Sequence, residues 1–197
     1  MIERIDVATR MSKIVKHNGV AYLCGQVGEG ETVAEQTRDC IARVEALLDR
    51  ADALGLNAIF LQVRPESDAL YDSDLEPWGR WLTGTQGVDP GWDPLAEAIT
   101  LAHDRGLELH AWLNPYRGAT STSIALAEDH FCSRTPDACH PYGSQTWLDP
   151  GDERVSSHML AVAADLVDRY DLDGLHLDDY FYPYPDGTPF PDDATYA

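Results

Sequence analysis

The residues best suited to chemistry lie in a short apolar strand that ends in two carboxylates, the segment DGLHLDDYF at residues 173–181. Acidic side chains at the carboxyl end of a β-strand are how a (β/α) barrel presents catalytic groups, because only these ends open onto the active-site face. Successive side chains of a strand point to opposite faces, so His176 and Asp178 share one side. We therefore expect Asp178 to be a catalytic carboxylate and His176 to bind substrate.

The opposite face of this strand carries Leu175, Leu177 and Asp179. The two leucines fit burial beneath a layer of helices, which turns the face with Asp178 toward the mouth of a barrel. Asp179 is the second candidate catalytic carboxylate, although its position suits orientation of a loop or a neighbouring side chain better. The alternative is that both acids only cap or solvate the strand end, since acidic residues are common beside turns.

Polar side chains also collect on one face of two further predicted strands, residues 58–64 and 107–114. These side chains are Gln62, Arg64, Glu108, His110, Trp112 and Asn114. A single polar side chain in a strand is more often a hydrogen-bonded core residue than a functional one. Three strands with the same arrangement nevertheless predict a shared site. The substrate-binding residues that we assign to it from these two strands are Arg64, His110, Trp112 and Asn114.

Long aromatic loops follow the predicted strands, and loops of that length in a compact domain are usually functional or disordered. Their aromatic residues are Trp78, Trp81, Trp92, Tyr116, Trp147, Tyr180, Tyr182 and Tyr184. Such a surface suits carbohydrate, because sugar C–H faces stack on rings while the hydroxyls need hydrogen bonds. Tyr116 and Tyr180 complete the predicted substrate-binding set. The alternative is that these aromatics pack the loops against themselves.

Composition excludes several classes of partner. The chain has 197 residues, with 14 Lys and Arg against 34 Asp and Glu, and a formal net charge of −20. Each phosphate contact needs a cation, so we expect no nucleic-acid partner. No apolar run approaches the roughly 18 residues of a membrane span. The first residues lack the basic and apolar regions of a signal peptide, so the sequence as written predicts a cytoplasmic protein.

Two of the four cysteines, Cys132 and Cys139, lie in the polar loop segment FCSRTPDACH at residues 131–140. A local disulfide between them would indicate an oxidising compartment. The alternative is a metal site with the flanking residues His130 and His140, although the spacing matches no standard zinc pattern. We expect neither a metal nor another cofactor.

The elements that must position these residues alternate between helix and strand. A turn at Asn18 and Gly19 indicates an opening hairpin, and Thr32 with Glu35 forms the capping box of the first helix. The predicted elements are a hairpin over 11–26, a helix over 32–54, strand 58–64, a helix between Asp93 and Gly106, strand 107–113, a helix over about 152–170 and strand 174–177. This order predicts an α/β fold with a parallel sheet.

Several motifs resemble the glycosyl-hydrolase-like family 10 group over about residues 47–197. They are LLDRADALGLNAIFLQVRP at 47–65, LEPW at 75–78, LTGTQG at 82–87, HAWLNPYR at 110–117, WLDPG at 147–151 and the strand 173–180. The resemblance implies a TIM-barrel glycoside hydrolase of bacterial envelopes, with peptidoglycan-type glycan strands as a substrate class. Members of that family are generally exported. By looser analogy, the strand motif is similar to that of amylase-type barrels, in which the residue matching Asp178 is the nucleophile.

The N-terminal region resembles a different family. The segments AYLCGQVGEG at 21–30 and VAEQTR at 33–38 are similar to the opening hairpin and helix of RidA/YjgF enamine and imine deaminases. Only Gly25 matches a position in that family's substrate pocket. We therefore divide the chain into a RidA-like hairpin and helix fragment at 1–50 and the N-terminal part of a glycosyl-hydrolase-like barrel at 51–197.

A complete barrel has eight strands and about 250 residues, whereas the sequence shows three barrel strands. The expected fold is therefore a partial (β/α) TIM-type barrel with parallel strands, and its open sheet edges would favour self-association. Glycoside hydrolysis needs an acid and a second carboxylate. Within this chain only Glu66, Asp68 or Asp179 could partner Asp178.

The expected function is hydrolysis of glycosidic bonds in a polysaccharide, impaired by the missing part of the barrel. Two alternatives stay open at this point. One is a carbohydrate-binding fragment without catalysis, and the other is a relative of the RidA-like deaminases.

Overall fold

The computed structural model describes residues 2–7, 12–17, 20–23, 29, 33–179 and 181–196. The strands are β1 (Glu3–Val7), β2 (Ser12–His17), β3 (Val20–Leu23), β4 (Ala58–Arg64), β5 (Glu108–Leu113), β6 (Arg117–Ala119), β7 (Cys139–Tyr142), β8 (Gln145–Leu148) and β9 (Gly174–Leu177). The helices are α1 (Val33–Ala53), α2 (Arg80–Thr83), α3 (Pro94–His103), α4 (Phe131–Arg134) and α5 (Glu153–Arg169), with a 3-10 turn at Pro136–Ala138.

The chain groups into two compact units. Unit 1 comprises Met1–Leu61, Ala96–Ala111 and Leu172–Gly174. Unit 2 comprises Gln62–Leu95, Trp112–Asp171 and Leu175–Ala197. The predicted division of the chain at residue 50 stays a prediction.

An antiparallel sheet with the strand order β1-β2-β3 opens unit 1. The predicted hairpin corresponds to β2 and β3, which pair from Ile14 with Leu23 to His17 with Val20. Strand β1 adds a third strand that the sequence did not indicate. The predicted turn at Asn18 and Gly19 and the cap at Thr32 lie outside the described residues.

The predicted parallel sheet is present, with the strand order β4-β5-β9. Its direction follows from backbone hydrogen bonds whose positions advance together along neighbouring strands. These bonds are Glu108 N to Asn57 O (2.8 Å), Asn114 N to Arg64 O (2.9 Å), Asp173 N to Leu109 O (3.1 Å) and Asp178 N to Leu113 O (3.2 Å). Because all three strands run the same way, their carboxyl ends meet at one edge of the sheet.

Burial alternates along the central strand β5, where Leu109, Ala111 and Leu113 are buried. The burial predicted for β9 is wrong at Leu177, whose exposed fraction is 53%. The reason is tertiary: the described segment that follows β9, residues 181–196, contains no helix that could cover this face. Both β4 and β9 are edge strands among the described residues, and self-association through them stays a prediction.

Unit 2 contains a second antiparallel sheet with the order β6-β8-β7, where the sequence predicted only a long loop. A disulfide joins Cys132 to Cys139 and closes the segment that leads into β7. The buried residues of this region are Phe131, Cys132, Ala138, Cys139, Leu148 and Val155. These three short strands are held by the small core around the disulfide, which a local hydrophobic pattern does not reveal.

Helix α5 has the apolar spacing of an amphipathic helix, so it buries one side. Asp152 caps its start by accepting a hydrogen bond from the backbone N–H of Arg154. The buried residues are Val155, Met159, Val162 and Leu166. Of the helices within the described ranges, none combines the length and the apolar character that crossing a bilayer requires.

Candidate functional site

A cavity of about 310 Å³ opens in unit 2 where strands β4 and β5 end. It is lined by Gln62, Pro65, Glu66, Leu70, Trp81, Asn114, Arg117 and Thr120. Gln62 belongs to β4, and Asn114 directly follows β5. The carboxyl edge of a parallel sheet is where sites form in barrels and open α/β sheets. This cavity is therefore the candidate functional site.

Two amide side chains meet at the floor of the cavity. The side-chain N–H of Gln62 donates to Asn114 Oδ1 over 3.1 Å, and Asn114 Nδ2 donates to the carbonyl oxygen of Pro65 over 3.0 Å. Both amides are thereby held in one orientation. Of the predicted substrate-binding residues, Asn114 is the one that lines this cavity.

Glu66 is a carboxylate among the cavity-lining residues, and its side chain is fully buried. Arg80 donates to it from Nη2 at 3.2 Å and from Nε at 3.3 Å. The hydroxyl of Thr120 also donates to Glu66 Oε1 at 2.5 Å. Arg80 and Thr120 thus fix the carboxylate at the cavity wall and compensate its charge.

Asp68 is buried beside Glu66, and the donors that reach its carboxylate from the described residues are neutral. It receives the backbone N–H of Glu66 at 3.0 Å and the side-chain N–H of Gln86 at 3.1 Å. Burial raises the pKa of Asp68 from its ordinary value of 3.8 to about 6, and the negative charge of Glu66 adds to this rise. Gln86 opposes it by donating to the carboxylate.

Arg64 does not face the cavity, in contrast to its predicted contact with substrate. Its side chain is completely buried, and it donates from Nε and Nη2 to Glu76 at 2.6–3.0 Å. His158 Nε2 lies 2.8 Å from Glu76 Oε1. Burial raises the pKa of Glu76, but the charge of Arg64 and the hydrogen bonds from His158 and Arg64 outweigh it and lower the pKa to about 2. Arg64 is therefore a structural residue beneath the site.

Asp178 and His176 lie on one face, as their alternation in the strand requires, with His176 Nε2 and Asp178 Oδ2 3.5 Å apart. Trp112 adjoins them: its indole N–H donates to the carbonyl oxygen of Asp178 over 3.3 Å, and its ring meets that of His176 edge-on at 6.4 Å. The side chain of Asp178 is 61% exposed. A carboxylate in this position is open to a ligand in solution.

Asp179 holds a cavity residue rather than facing solvent. Its carboxylate accepts two hydrogen bonds from Arg117, from Nε at 2.7 Å and from Nη2 at 2.6 Å. The backbone of Asp179 has φ of +136°, a region that side chains disfavour and that is found where surrounding contacts impose it. Asp179 thus holds Arg117 in place, and a direct catalytic role for Asp179 stays a prediction.

Two further predicted substrate-binding residues, His110 and Tyr116, do not line the cavity. In unit 1, His110 Nε2 lies 3.3 Å from Glu108 Oε2, and its ring packs on Phe60 at 4.8 Å. In unit 2, Tyr116 packs against the disulfide core. Tyr180 lies outside the described residues.

The residues that the sequence did not assign to the site are Trp81, Arg117 and Thr120. Trp81 was noted only as one of many loop aromatics. Arg117 begins the short strand β6 and Thr120 directly follows it, and the sequence did not predict this strand. Glu66 had been named only as a partner carboxylate.

The alternative of a metal site at the cysteines is wrong, because Cys132 and Cys139 are bonded to each other. His130 instead binds the protein: its Nδ1 accepts the backbone N–H of Cys132, so its Nε2 donates to the carbonyl oxygen of Glu66 at 2.9 Å. Burial lowers the pKa of His130, which favours this neutral form. Within the described part of the chain, no group of three or more His, Cys, Asp and Glu residues is arranged to hold a metal ion.

Among proteins of known structure, the chain is similar to a hypothetical protein from Ruminiclostridium thermocellum, with a TM-score of 0.54, 14% identity and 72% of each chain covered. It is also similar to alpha-L-fucosidase isoenzyme 2 from Paenibacillus thiaminolyticus, with a TM-score of 0.50, 12% identity and 79% of this chain against 21% of the other covered. At these identities the similarity concerns the fold alone.

Sequence relatives are more informative. Glycosyl hydrolase YngK of Bacillus subtilis is 42% identical over 171 residues, which cover 85% of this chain and 33% of the relative. Glycosyl hydrolase DigH of Escherichia coli is 33% identical over 177 residues, which cover 83% of this chain and 40% of the relative. The chain thus spans about a third to two-fifths of the length of these relatives.

The N-terminal resemblance finds weaker support. A RutC family protein of Haemophilus ducreyi is 29% identical over 84 residues, which cover 42% of this chain and 72% of that protein. A RidA-like origin of the first 50 residues therefore stays a proposal.

The family described as Glycosyl hydrolase-like 10 matches residues 14–197, nearly the whole chain. The chain accordingly belongs to the glycosyl hydrolase-like 10 family.

Proposed function

We propose that this chain forms part of the active site of a glycoside hydrolase that acts on a polysaccharide. The observation that carries the proposal is the cavity at the carboxyl edge of the parallel sheet, lined by a carboxylate, two amides, an arginine and a tryptophan. Family membership supports the same class of reaction. Peptidoglycan-type glycan strands are the substrate class that we would test first.

In this proposal Asp178 is the nucleophile or the carboxylate that stabilises the oxocarbenium-like transition state. Its exposure suits that role, and the N–H of Asp179 steadies it by donating to Asp178 Oδ1 at 2.8 Å. His176 and Trp112 would contact the sugar beside it. Hydrolysis also needs a group that protonates the leaving oxygen and a water molecule that attacks the anomeric carbon of the sugar.

Glu66 is our candidate for the second carboxylate. Of the three partners that the sequence offered for Asp178, it is the one that lines the cavity. In this role Glu66 would protonate the leaving oxygen and then, as a carboxylate, take the proton of the attacking water.

The test is release of reducing sugar from purified glycan strands by the purified chain. We expect Asp178→Asn to abolish release, because the amide cannot act as nucleophile or carry the stabilising charge. The matched control is Asp193→Asn, the same chemical change at an exposed position of the tail. Equal release by wild type and Asp178→Asn would refute the assignment, and absence of release from the wild-type chain would refute turnover by this chain.

A second candidate function is carbohydrate binding without catalysis. The exposed ring of Trp81 at the cavity favours it, since an aromatic face can bind a sugar without any chemical step. Retention of glycan strands without any product, lost in Trp112→Ala and unaffected in Asp178→Asn, would support this function over hydrolysis.

A further inference from the structure

We propose that the cavity at the end of β4 binds an uncharged pyranose ring, stacked on Trp81 and hydrogen-bonded to Arg117. The inference rests on the proposed function for the ligand being a sugar. It goes further by naming the charge class of the unit that this cavity accepts.

Trp81 offers an aromatic ring on which a sugar can stack. The guanidinium of Arg80 lies 3.9 Å from the centre of the Trp81 ring, so it covers one face of the indole. The side chain is nevertheless 59% exposed and lines the cavity, so the uncovered face is the one available to a ligand. Arg80 is itself held by Glu66. The orientation of the ring is therefore fixed before a ligand arrives, which lowers the entropy cost of stacking.

The size of the cavity suits a small ligand. Its volume of about 310 Å³ lies at the lower end of the range of roughly 300–1,000 Å³ for small-molecule sites. Leu70 and Pro65 add apolar wall beside the indole, which suits the C–H face of a pyranose.

The charged side chains around the cavity form two ion pairs. Glu66 is paired with Arg80 at 3.2 Å, and Arg117 is paired with Asp179 at 2.6 Å. An acidic sugar would have to compete with Asp179 for Arg117, and an amino sugar would have to compete with Arg80 for Glu66. Each exchange would leave a desolvated charge without its partner, which is costly. An uncharged sugar leaves both pairs intact.

Arg117 keeps a hydrogen-bond donor for the hydroxyls of such a sugar. Asp179 occupies Nε and Nη2 of Arg117, so the Nη1 edge is the part that this side chain can present to a ligand. A pyranose hydroxyl can accept a hydrogen bond from this edge.

The test is ligand-detected NMR of the purified chain with matched sugars. The neutral probes are the methyl glycosides of glucose, galactose and N-acetylglucosamine, and the charged probes are the glucuronic acid, galacturonic acid and glucosamine counterparts. We expect at least one neutral probe to bind, and its charged counterparts to bind at least about tenfold more weakly, a factor that corresponds to 1.4 kcal/mol. Absence of binding by all neutral probes, or equal binding of a charged counterpart, would overturn the proposal.

Substitutions of Trp81 test whether the sugar binds in this cavity. Trp81→Ala should weaken the neutral probe by about tenfold or more, whereas Trp81→Phe, which keeps an aromatic face, should retain most of the binding. Tyr184→Ala is the control, because Tyr184 is 71% exposed and does not line the cavity. Unchanged binding in a folded Trp81→Ala variant, judged by urea unfolding, would also overturn the proposal.

The outcomes separate this inference from the proposed function. Sugar binding that depends on Trp81, without glycan hydrolysis, would leave the inference standing and remove the catalytic role of Asp178. Hydrolysis that depends on Asp178, without binding of any neutral monosaccharide, would support the proposed function and overturn this inference.

Discussion

Replacement of Asp68 by Asn tests the electrostatics beneath the cavity. Asp68 is a buried carboxyl whose pKa rises from 3.8 to about 6, first because of burial and also because Glu66 is negatively charged. The folded state therefore holds the proton of Asp68 more tightly than the unfolded state does. The stability that this gives is present below about pH 4 and is lost as the pH rises through about 6.

The magnitude follows from the size of the shift. A change from 3.8 to about 6 corresponds to about 3 kcal/mol of differential stability at 1.36 kcal/mol per pKa unit. Asn cannot ionise, so Asp68→Asn removes this dependence while it keeps the side-chain size. We expect the free energy of unfolding of the variant, minus that of the wild type, to rise by about 3 kcal/mol between about pH 4 and pH 8.

The assay is urea unfolding followed by tryptophan fluorescence at several pH values. The five tryptophans of the chain, Trp78, Trp81, Trp92, Trp112 and Trp147, all belong to unit 2, as does Asp68. Titrating groups that do not interact with Asp68 cancel in the difference between variant and wild type. Asp193→Asn serves as the control and should show no such trend. A difference for Asp68→Asn that stays constant within about 1 kcal/mol would refute the argument that this carboxyl is buried and uncompensated.

Three further predictions concern other buried features. Glu76→Gln should destabilise unit 2 by about 3–5 kcal/mol in urea unfolding, because it leaves the buried guanidinium of Arg64 without its carboxylate. In the wild type, the lowered pKa of Glu76 predicts stability that is lost as the pH falls from about 4.5 to about 2, and a variant with the same acid profile would contradict this. The double variant Cys132→Ser and Cys139→Ser, like reduction by dithiothreitol, should cost about 2–3 kcal/mol in urea unfolding, since the closed loop is short; no difference between oxidised and reduced protein would show that the bridge does not constrain the chain. Gly174→Ala should cost about 1–3 kcal/mol in thermal unfolding, because the added Cβ would overlap the ring of His110, and His110→Ala in the same background should restore stability if that overlap is the cause.

The site combines compensated and uncompensated carboxyls at short range. Glu66 is paired with Arg80, and Glu76 with Arg64, whereas the donors to Asp68 among the described residues are neutral. Perturbed carboxyls beside a cavity are a feature of functional sites. The arrangement supports the proposal that this cavity is a functional site.

The sequence alone determined the elements of the parallel sheet and their faces. Periods of 2 and 3.6 residues fix where strands and helices occur, and strands predicted at 58–64, 107–113 and 174–177 correspond to β4, β5 and β9. The alternation within β9 likewise placed His176 and Asp178 on one face. The aromatic loops and the family motifs pointed to carbohydrate for reasons of composition and resemblance.

Only the tertiary structure decided which polar residues are buried and which line the cavity. Arg64 shares a strand face with Gln62, yet its side chain is buried against Glu76. His158, which lies 82 positions after Glu76 in the sequence, contacts the same carboxylate. Arg117 reaches the cavity because Asp179, 62 positions away, holds it. Strand period depends on neighbouring residues, whereas burial, charge pairing and pKa depend on segments that are distant in sequence and meet only in the folded chain.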